Sequence, residues 1–177
     1  TIELGHKGTF LDGNMLTLLA VYQNRPDNLP GAVHNSYGVE WDVSWQLTKG
    51  WRLGASWAWA DDHRPALQPQ QQLSLLARRD WRWGWADMAL SLEYLYQSGT
   101  CPGLTPCDAN RGDSTRQWDV SLGAHYREWT LSVYADNVAD QRDWYSPPRG
   151  SGSTVPELAG ELTAPRQLGL RVIYQLR

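Results

Sequence analysis

The chain has 177 residues, of which 41% are hydrophobic and 20% charged, and its formal net charge is -3 at pH 7. This composition excludes a disordered tail, and the near balance of acidic and basic residues gives no reason to expect a nucleic-acid partner. No apolar run reaches the length of about 18 residues that a transmembrane helix needs. Eleven Trp and eight Tyr stand against one Phe, and rings with an apolar body and a polar tip favour interfaces between apolar and aqueous surroundings.

Apolar and polar residues alternate along much of the chain, in segments bounded by Gly, Pro, Asn and Asp, which is the pattern of β-strands. In one segment Trp41, Val43 and Trp45 alternate with Asp42 and Ser44. The predicted strands, in chain order, are residues 1–11, 15–24, 37–47, 51–59, 71–80, 87–97, 117–126, 130–138 and 166–176. The predicted fold class is therefore all-β, and strands of roughly ten residues have the length that a tilted membrane-spanning strand needs.

The predicted connections alternate between two classes of length. The short ones are residues 12–14, 48–50, 81–85 and 127–128, and the long ones are 25–36, 61–70, 98–116 and 139–165. Such alternation is typical of an antiparallel up-and-down transmembrane β-barrel with one plain end and one elaborated end.

Tryptophan placement supports the same interpretation, because most indoles lie toward the strand ends and only Trp41 lies centrally. Two such belts are expected at the two headgroup levels of a bilayer. The predicted membrane-interface rings are Trp45, Trp51, Trp81, Trp83, Trp85 and Trp129 near the short connections, and Trp57, Trp59 and Trp118 toward the long ones. The alternatives are a soluble carbohydrate-binding β-sandwich, whose apolar faces would pack between two sheets, and a small outer-membrane pore or adhesin barrel.

Several short motifs resemble those of TonB-dependent outer-membrane receptors, the class that imports ferric siderophores and similar scarce ligands. The opening Glu3-Leu4-Gly5-His6-Lys7 is similar to a Glu-x-Gly-x-Lys strand start of that family, and Gly38-Val39-Glu40 is similar to a later Gly-x-Glu strand. Asn137-Val138-Ala139-Asp140 followed by Trp144-Tyr145 resembles the Asn-Leu-Phe-Asp segment before the last extracellular loop. Pro165-Arg166, Gly169-Leu170 and Tyr174 resemble the closing strand.

The resemblance implies a barrel of 22 strands around a plug, so residues 1–177 are expected to be its carboxy-terminal section, without the plug and the earlier strands. An odd count of about nine strands favours a section too, because closed bacterial barrels usually have an even number. The implied partners are membrane lipid, a ferric siderophore or similar small ligand, and the TonB complex acting through the plug. The implied location is the outer membrane of a Gram-negative bacterium, and the implied function is energy-coupled uptake rather than catalysis.

The remaining chemistry-bearing residues suggest no catalytic centre, no cofactor and no recurrent metal-ligand spacing. Cys101 and Cys107 are interpreted as a disulfide across a Pro- and Gly-containing loop in an oxidising compartment, with two free thiols as the alternative. In the resembled family, ligands are contacted by the extracellular loops and the upper inner wall. The ligand-contact candidates are the aromatic and cationic side chains predicted there, namely His34, His63, Arg64, Arg111, Trp144, Tyr145 and Arg149.

Overall fold

A computed structural model describes residues 1–24, 36–61, 69–100, 112–146 and 161–176. The strands are β1 (Ile2–Phe10), β2 (Met15–Asn24), β3 (Ser36–Thr48), β4 (Trp51–Asp61), β5 (Gln71–Trp83), β6 (Ala86–Gln97), β7 (Thr115–Tyr126), β8 (Trp129–Asp136), β9 (Trp144–Ser146), β10 (Glu161–Leu162) and β11 (Gln167–Tyr174). Nine of them form one sheet in the order β1-β2-β3-β4-β5-β6-β7-β8-β11, and β9 pairs with β10 separately. Each neighbouring pair is antiparallel, which confirms the predicted all-β up-and-down arrangement.

The register places most of the apolar residues of the nine strands on one face. One row of directly paired residues crosses the whole sheet, with one residue from each strand, and every member is apolar. The row runs Phe10, Met15, Trp45, Leu53, Ala77, Leu92, Val120, Ala135 and Leu168. Because side chains alternate strictly between the two faces, this row identifies the apolar face of every strand.

The opposite face is mostly polar. Its corresponding row from β3 to β11 contains Gln46, Arg52, Arg78, Ser91, Ser121, Tyr134 and Gly169. Two shallow depressions lie on this face, one of about 320 Å³ lined by Ser56 and Ser74 together with Leu16, Leu18 and Leu76, and one of about 240 Å³ lined by residues that include Ser91 and Ser121. The apolar and polar faces therefore differ from β3 to β11, whereas β2 has leucines on both faces.

Nothing in the described part of the chain covers the apolar face. Leu92 is 41% exposed and Val133 49%, and Ala86 is the single buried hydrophobic residue among those described. Within the same residues, each strand packs mainly against its hydrogen-bonded neighbours, and no second sheet lies over the first. The β-sandwich alternative requires such a second sheet, so this arrangement argues against it.

The short-connection ends of the strands are staggered. β1 and β2 meet at the apolar row itself, through Phe10 and Met15, whereas β5 continues beyond Ala77 to Trp83. The predicted connection 81–85 is therefore wrong in its bounds, because Trp81 and Trp83 pair with Met88 and Ala86 inside the sheet. Progressive stagger of this kind accompanies the strand tilt of a barrel wall.

The β3–β4 turn requires glycine at position 50. Gly50 has a φ of +94°, and a Cβ added there would collide with the backbone oxygen of Asp80 on the neighbouring β5. The Asp80 N–H donates to the Gly50 carbonyl over 2.7 Å, which fixes the turn against that strand.

No helix long and apolar enough to cross a membrane occurs in the described ranges.

Candidate functional site at the long-loop end of the sheet

β8 ends earlier than the predicted boundary of residue 138, because Asn137 leaves the strand conformation with a φ of +49°. Asn137 is only 3% exposed, and its side-chain amide is fully used. Its Nδ2 donates to the carbonyls of Gln141, over 2.9 Å, and of Ala164, over 2.8 Å. Its Oδ1 accepts from the Gln141 N–H over 3.0 Å. Asn137 thus ties the segment that follows β8 to the segment that precedes β11.

Thr163 forms a second set of hydrogen bonds with the segment that follows β8. The Thr163 hydroxyl donates to the Gln141 carbonyl and accepts from the Asp143 N–H, both over 3.0 Å. The Thr163 N–H donates in turn to the Asp143 carbonyl over 3.0 Å. The short β9–β10 pair continues directly from these bonds, with Leu162 opposite Trp144.

Two acidic side chains, one in β7 and one just before it, lie at the same place. Asp119 Oδ1 accepts from the Asn137 backbone N–H over 2.8 Å, and the Asp119 carboxylate also accepts from Gln117 Nε2. Asp113, just before β7, accepts the Trp144 N–H over 3.1 Å and donates its own N–H to the Trp144 carbonyl over 2.9 Å. We call Asp113, Asp119, Asn137, Gln141 and Thr163 the loop junction, because they join the segments before β7, after β8 and before β11.

A depression of about 290 Å³ lies beside the loop junction. Its lining includes Gln97, Arg116, Gln117, Gln141 and Thr163. The Oε1 atom of Gln141 is enclosed and has no hydrogen-bond partner among the described residues. The depression therefore offers the side-chain amides of Gln97 and Gln117 together with polar groups of the loop junction, a set that can hydrogen-bond a polar small molecule. Sequence reasoning missed Gln97, Arg116, Gln117 and Gln141, because only the pairing of distant segments places them together.

Asp140 has a lowered pKa at the surface of this region. The main cause is the hydrogen bond that its Oδ1 accepts from the backbone N–H of Arg166, over 2.9 Å, and the positive charges of Arg142 and Arg166 add to it. A carboxyl whose pKa is lower in the folded state than the ordinary 3.8 stabilises the fold above that value, and the contribution is lost as pH falls through the lowered pKa.

We therefore expect Asp140→Asn to remove the acid sensitivity of the hydrogen bond between the Arg166 amide and the side chain of residue 140. Hydrogen exchange of the Arg166 amide, followed from pH 6 down to pH 2.5, measures it. In the wild type, the protection of the Arg166 amide relative to its intrinsic exchange rate should decrease once the pH is lowered below about 3.8. In Asp140→Asn the protection of this amide should already be reduced at pH 6 and should change little as the pH is lowered. Equal pH profiles for the two proteins would contradict the assignment.

Five of the seven ligand-contact candidates, His34, His63, Arg64, Arg111 and Arg149, lie outside the described residues, as do Cys101 and Cys107. Trp144 lies in β9, is 39% exposed and is anchored through its backbone to Asp113. Tyr145 follows it in β9. No group of three or more metal-ligating side chains occurs in the described ranges. The ligand-contact and disulfide assignments stay predictions.

Most of the tryptophans predicted to form two ring belts lie on the apolar face. Trp83, Trp85 and Trp129 lie at the short-turn end and are 72, 69 and 52% exposed. Trp41, considered central, pairs directly with Trp57, so the two indoles share one level. Five more of these tryptophans lie on the apolar face, where each is directly opposite a residue of the neighbouring strand. The pairs are Trp45 with Leu53, Trp51 with Arg79, Trp59 with Gln71, Trp81 with Met88, and Trp118 with Tyr94. Their contact with a membrane interface remains a prediction.

Several solved structures share the fold of this chain. The chain matches FpvAI in its complex with pyocin S2 at a TM-score of 0.69 and 18% identity over 97% of its length. It matches BauA, the ferric preacinetobactin receptor from Acinetobacter baumannii, at 0.69 and 17% over 97%. It matches the ferripyoverdine receptor of the outer membrane of Pseudomonas aeruginosa, bound to ferripyoverdine, at 0.63 and 18% over 97%.

The chain has the fold of a siderophore-receptor barrel section. This confirms the resemblance noted in the sequence at the level of the fold. The match covers 26% of the FpvAI chain and 28% of the BauA chain, so the chain spans about a quarter of the length of these structures. No protein-family model and no curated protein sequence matches the chain.

Proposed function

We propose that the chain is the carboxy-terminal barrel section of an outer-membrane receptor that takes up a scarce ligand such as a ferric siderophore. In this proposal residues 1–177 supply nine strands of a 22-stranded wall around a plug, and the TonB complex acts through that plug. The apolar face contacts membrane lipid, and the polar face lines the lumen. The protein moves its ligand without breaking a covalent bond.

The carrying observation is the apolar row that crosses all nine strands, in which the side chains of Phe10, Leu92 and Leu168 are exposed. An exposed apolar face of this width is a liability in water but is what a lipid-facing barrel wall presents. The fold shared with FpvAI and BauA supports the same interpretation. The edge strands β1 and β11 carry backbone groups that adjoining strands of a closed wall would satisfy.

The orientation of the wall follows from the lengths of the connections. Outer-membrane barrels have short periplasmic turns and longer extracellular loops. The two-residue β3–β4 and β5–β6 turns therefore lie on the periplasmic side, and the loop junction lies on the extracellular side. Ligand contacts are expected beside the junction, where Trp144 and the polar depression lie, together with the cationic candidates Arg64, Arg111 and Arg149.

Membrane fractionation of cells that express the natural protein tests the proposal. We expect the protein to sediment with outer membranes, to resist extraction with carbonate, and to support growth on its ferric siderophore under iron limitation. Release into the soluble fraction without detergent would refute the membrane assignment. Outer-membrane location without any growth effect across a panel of ferric chelates would instead favour a passive pore or adhesin.

A further inference from the structure

Arg79 occupies an unusual place on the apolar face. It lies on β5, where it pairs with Trp51 of β4 and with Leu90 of β6. Its guanidinium carbon is 5.3 Å from the centroid of the Trp51 ring and 5.6 Å from that of the Trp81 ring. Both distances are within the range of a cation–π interaction. Two indoles therefore hold one cationic group between adjacent strands of a mainly apolar surface.

The charge of Arg79 has no acidic partner in the described part of the chain. The nearest carboxylate in sequence, Asp80, points to the polar face, where it forms ion pairs with Arg52 and Arg78. Arg79 is exposed, and none of the hydrogen bonds of the described residues uses its guanidinium. Its N–H donors are therefore available to a group outside the protein. An exposed arginine in an apolar band forms its strongest hydrogen bonds with an anion that approaches from the same surface.

The level of Arg79 along the strand identifies the source of that anion. β5 ends at Trp83, a short distance beyond Arg79, and the exposed rings of Trp83, Trp85 and Trp129 lie at the same end of the sheet. In the proposed membrane orientation this end is at the periplasmic interface, and Arg79, two residues nearer to it than Ala77 in the middle of β5, can extend its long side chain toward that interface. Lipid headgroups carry phosphodiester groups at that depth, and aromatic side chains concentrate there.

We propose that Arg79, with Trp51 and Trp81, forms a binding site for the phosphodiester group of a phospholipid. The two rings restrict the guanidinium, whose planar set of donors fits two phosphate oxygens at once. The acyl chains of the same lipid lie along the apolar residues above the site, including Ala77 and Leu75. The inference rests on the proposed function, since it requires the apolar face to lie in a bilayer.

Native mass spectrometry of the purified full-length protein, titrated with phosphatidylglycerol in detergent, tests the site. We expect Arg79→Gln to weaken the tightest lipid-binding step by about fivefold, the factor for one cationic side chain near an anionic lipid surface. Arg79→Lys, which keeps the charge but not the planar donor set, should give an intermediate loss. The matched control is Arg82→Gln, on the same strand but on the polar face, which should leave lipid binding unchanged.

The outcomes separate this inference from the proposed function. If the wild type and Arg79→Gln bind the lipid within about twofold of each other while both are membrane proteins, the site is refuted and the receptor proposal stands. If inorganic phosphate alone displaces the lipid at equal concentration, the site is one for free phosphate and the lipid assignment is refuted. A wild-type protein that binds no phospholipid and stays in the soluble fraction would refute both proposals.

Discussion

Leu92→Lys should prevent or strongly impair stable folding in the membrane, with a loss of about 2–4 kcal/mol in the free energy of unfolding. Leu92 lies in the middle of β6, in the apolar row, and is 41% exposed. If lipid surrounds position 92, a charged amine near the bilayer centre either loses its hydration or is reached by water and headgroups that distort the bilayer. Both outcomes have a large free-energy cost at that depth. Urea unfolding of the protein reconstituted in phosphatidylcholine vesicles measures the loss.

Leu95→Lys is the matched control for this substitution. Leu95 lies three positions further along the same strand, on the polar face, and its exposure of 37% is close to that of Leu92. Its cross-strand neighbours are Ser74 and Gln117, which are compatible with a charged side chain in a hydrated lumen. We expect a loss below about 1 kcal/mol, the usual range for a substitution at a hydrated polar position.

The comparison of the two lysines discriminates between the two surroundings of the sheet. In water both leucines are similarly exposed, and the two variants should have nearly equal stability. A bilayer makes the two faces unequal, so only Leu92→Lys should be costly. Equal losses for both variants would contradict the proposed membrane orientation even if the nine-stranded sheet is correct.

Much of the strand pattern was accessible from the sequence because alternation is a local property. Residues 15–24 were predicted with the bounds that the structure gives for β2. Trp81 and Trp83 were assigned to a connection, although both alternate with Arg82 and continue β5. Alternation alone does not show where β5 stops, and the turn itself is set by Gly84, with a φ of +58°.

The sequence does not always show which side of a strand lies on the apolar face of the sheet, because this depends on pairing between distant segments. β2 has leucine at positions 16, 18 and 19, so its own sequence does not distinguish an apolar face from a polar one. The register resolves this, since Leu19 lies opposite Trp41 and Leu18 lies opposite Asp42. The single apolar row across nine strands is likewise a property of the register and not of any one segment.

The loop junction illustrates a further limit of sequence reasoning. The Asn137-Val138-Ala139-Asp140 motif was recognised by resemblance, but its partners at Asp119, Gln141 and Ala164 were not. Hydrogen bonds between segments separated by a strand or a long loop leave no periodic signal in the sequence. A buried asparagine amide is therefore visible only once the fold has brought its partners together.

Asn137→Ala should destabilise the long-loop end of the sheet by about 3 kcal/mol, the second large effect that we expect. The substitution removes three side-chain hydrogen bonds and leaves the Gln141 N–H and the carbonyls of Gln141 and Ala164 without that partner. Each such bond contributes about 1 kcal/mol, and groups left buried and unpaired cost more. Alanine at a φ of +49° adds strain that asparagine tolerates better. Hydrogen exchange of residues 137–144 and 161–166 should show the loss.

Asn137→Gly separates the two causes, because glycine accepts the positive φ without strain but restores none of the amide contacts. If the hydrogen bonds dominate, glycine and alanine should increase exchange by similar factors, whereas a near-normal Asn137→Gly would assign the effect to the backbone. Asn14→Ala serves as the control, since Asn14 makes one exposed side-chain bond, to the Leu11 carbonyl over 2.9 Å. Faster exchange near residue 137 in the Asn14 variant would indicate a global change, and the loop junction would then not be a local clamp.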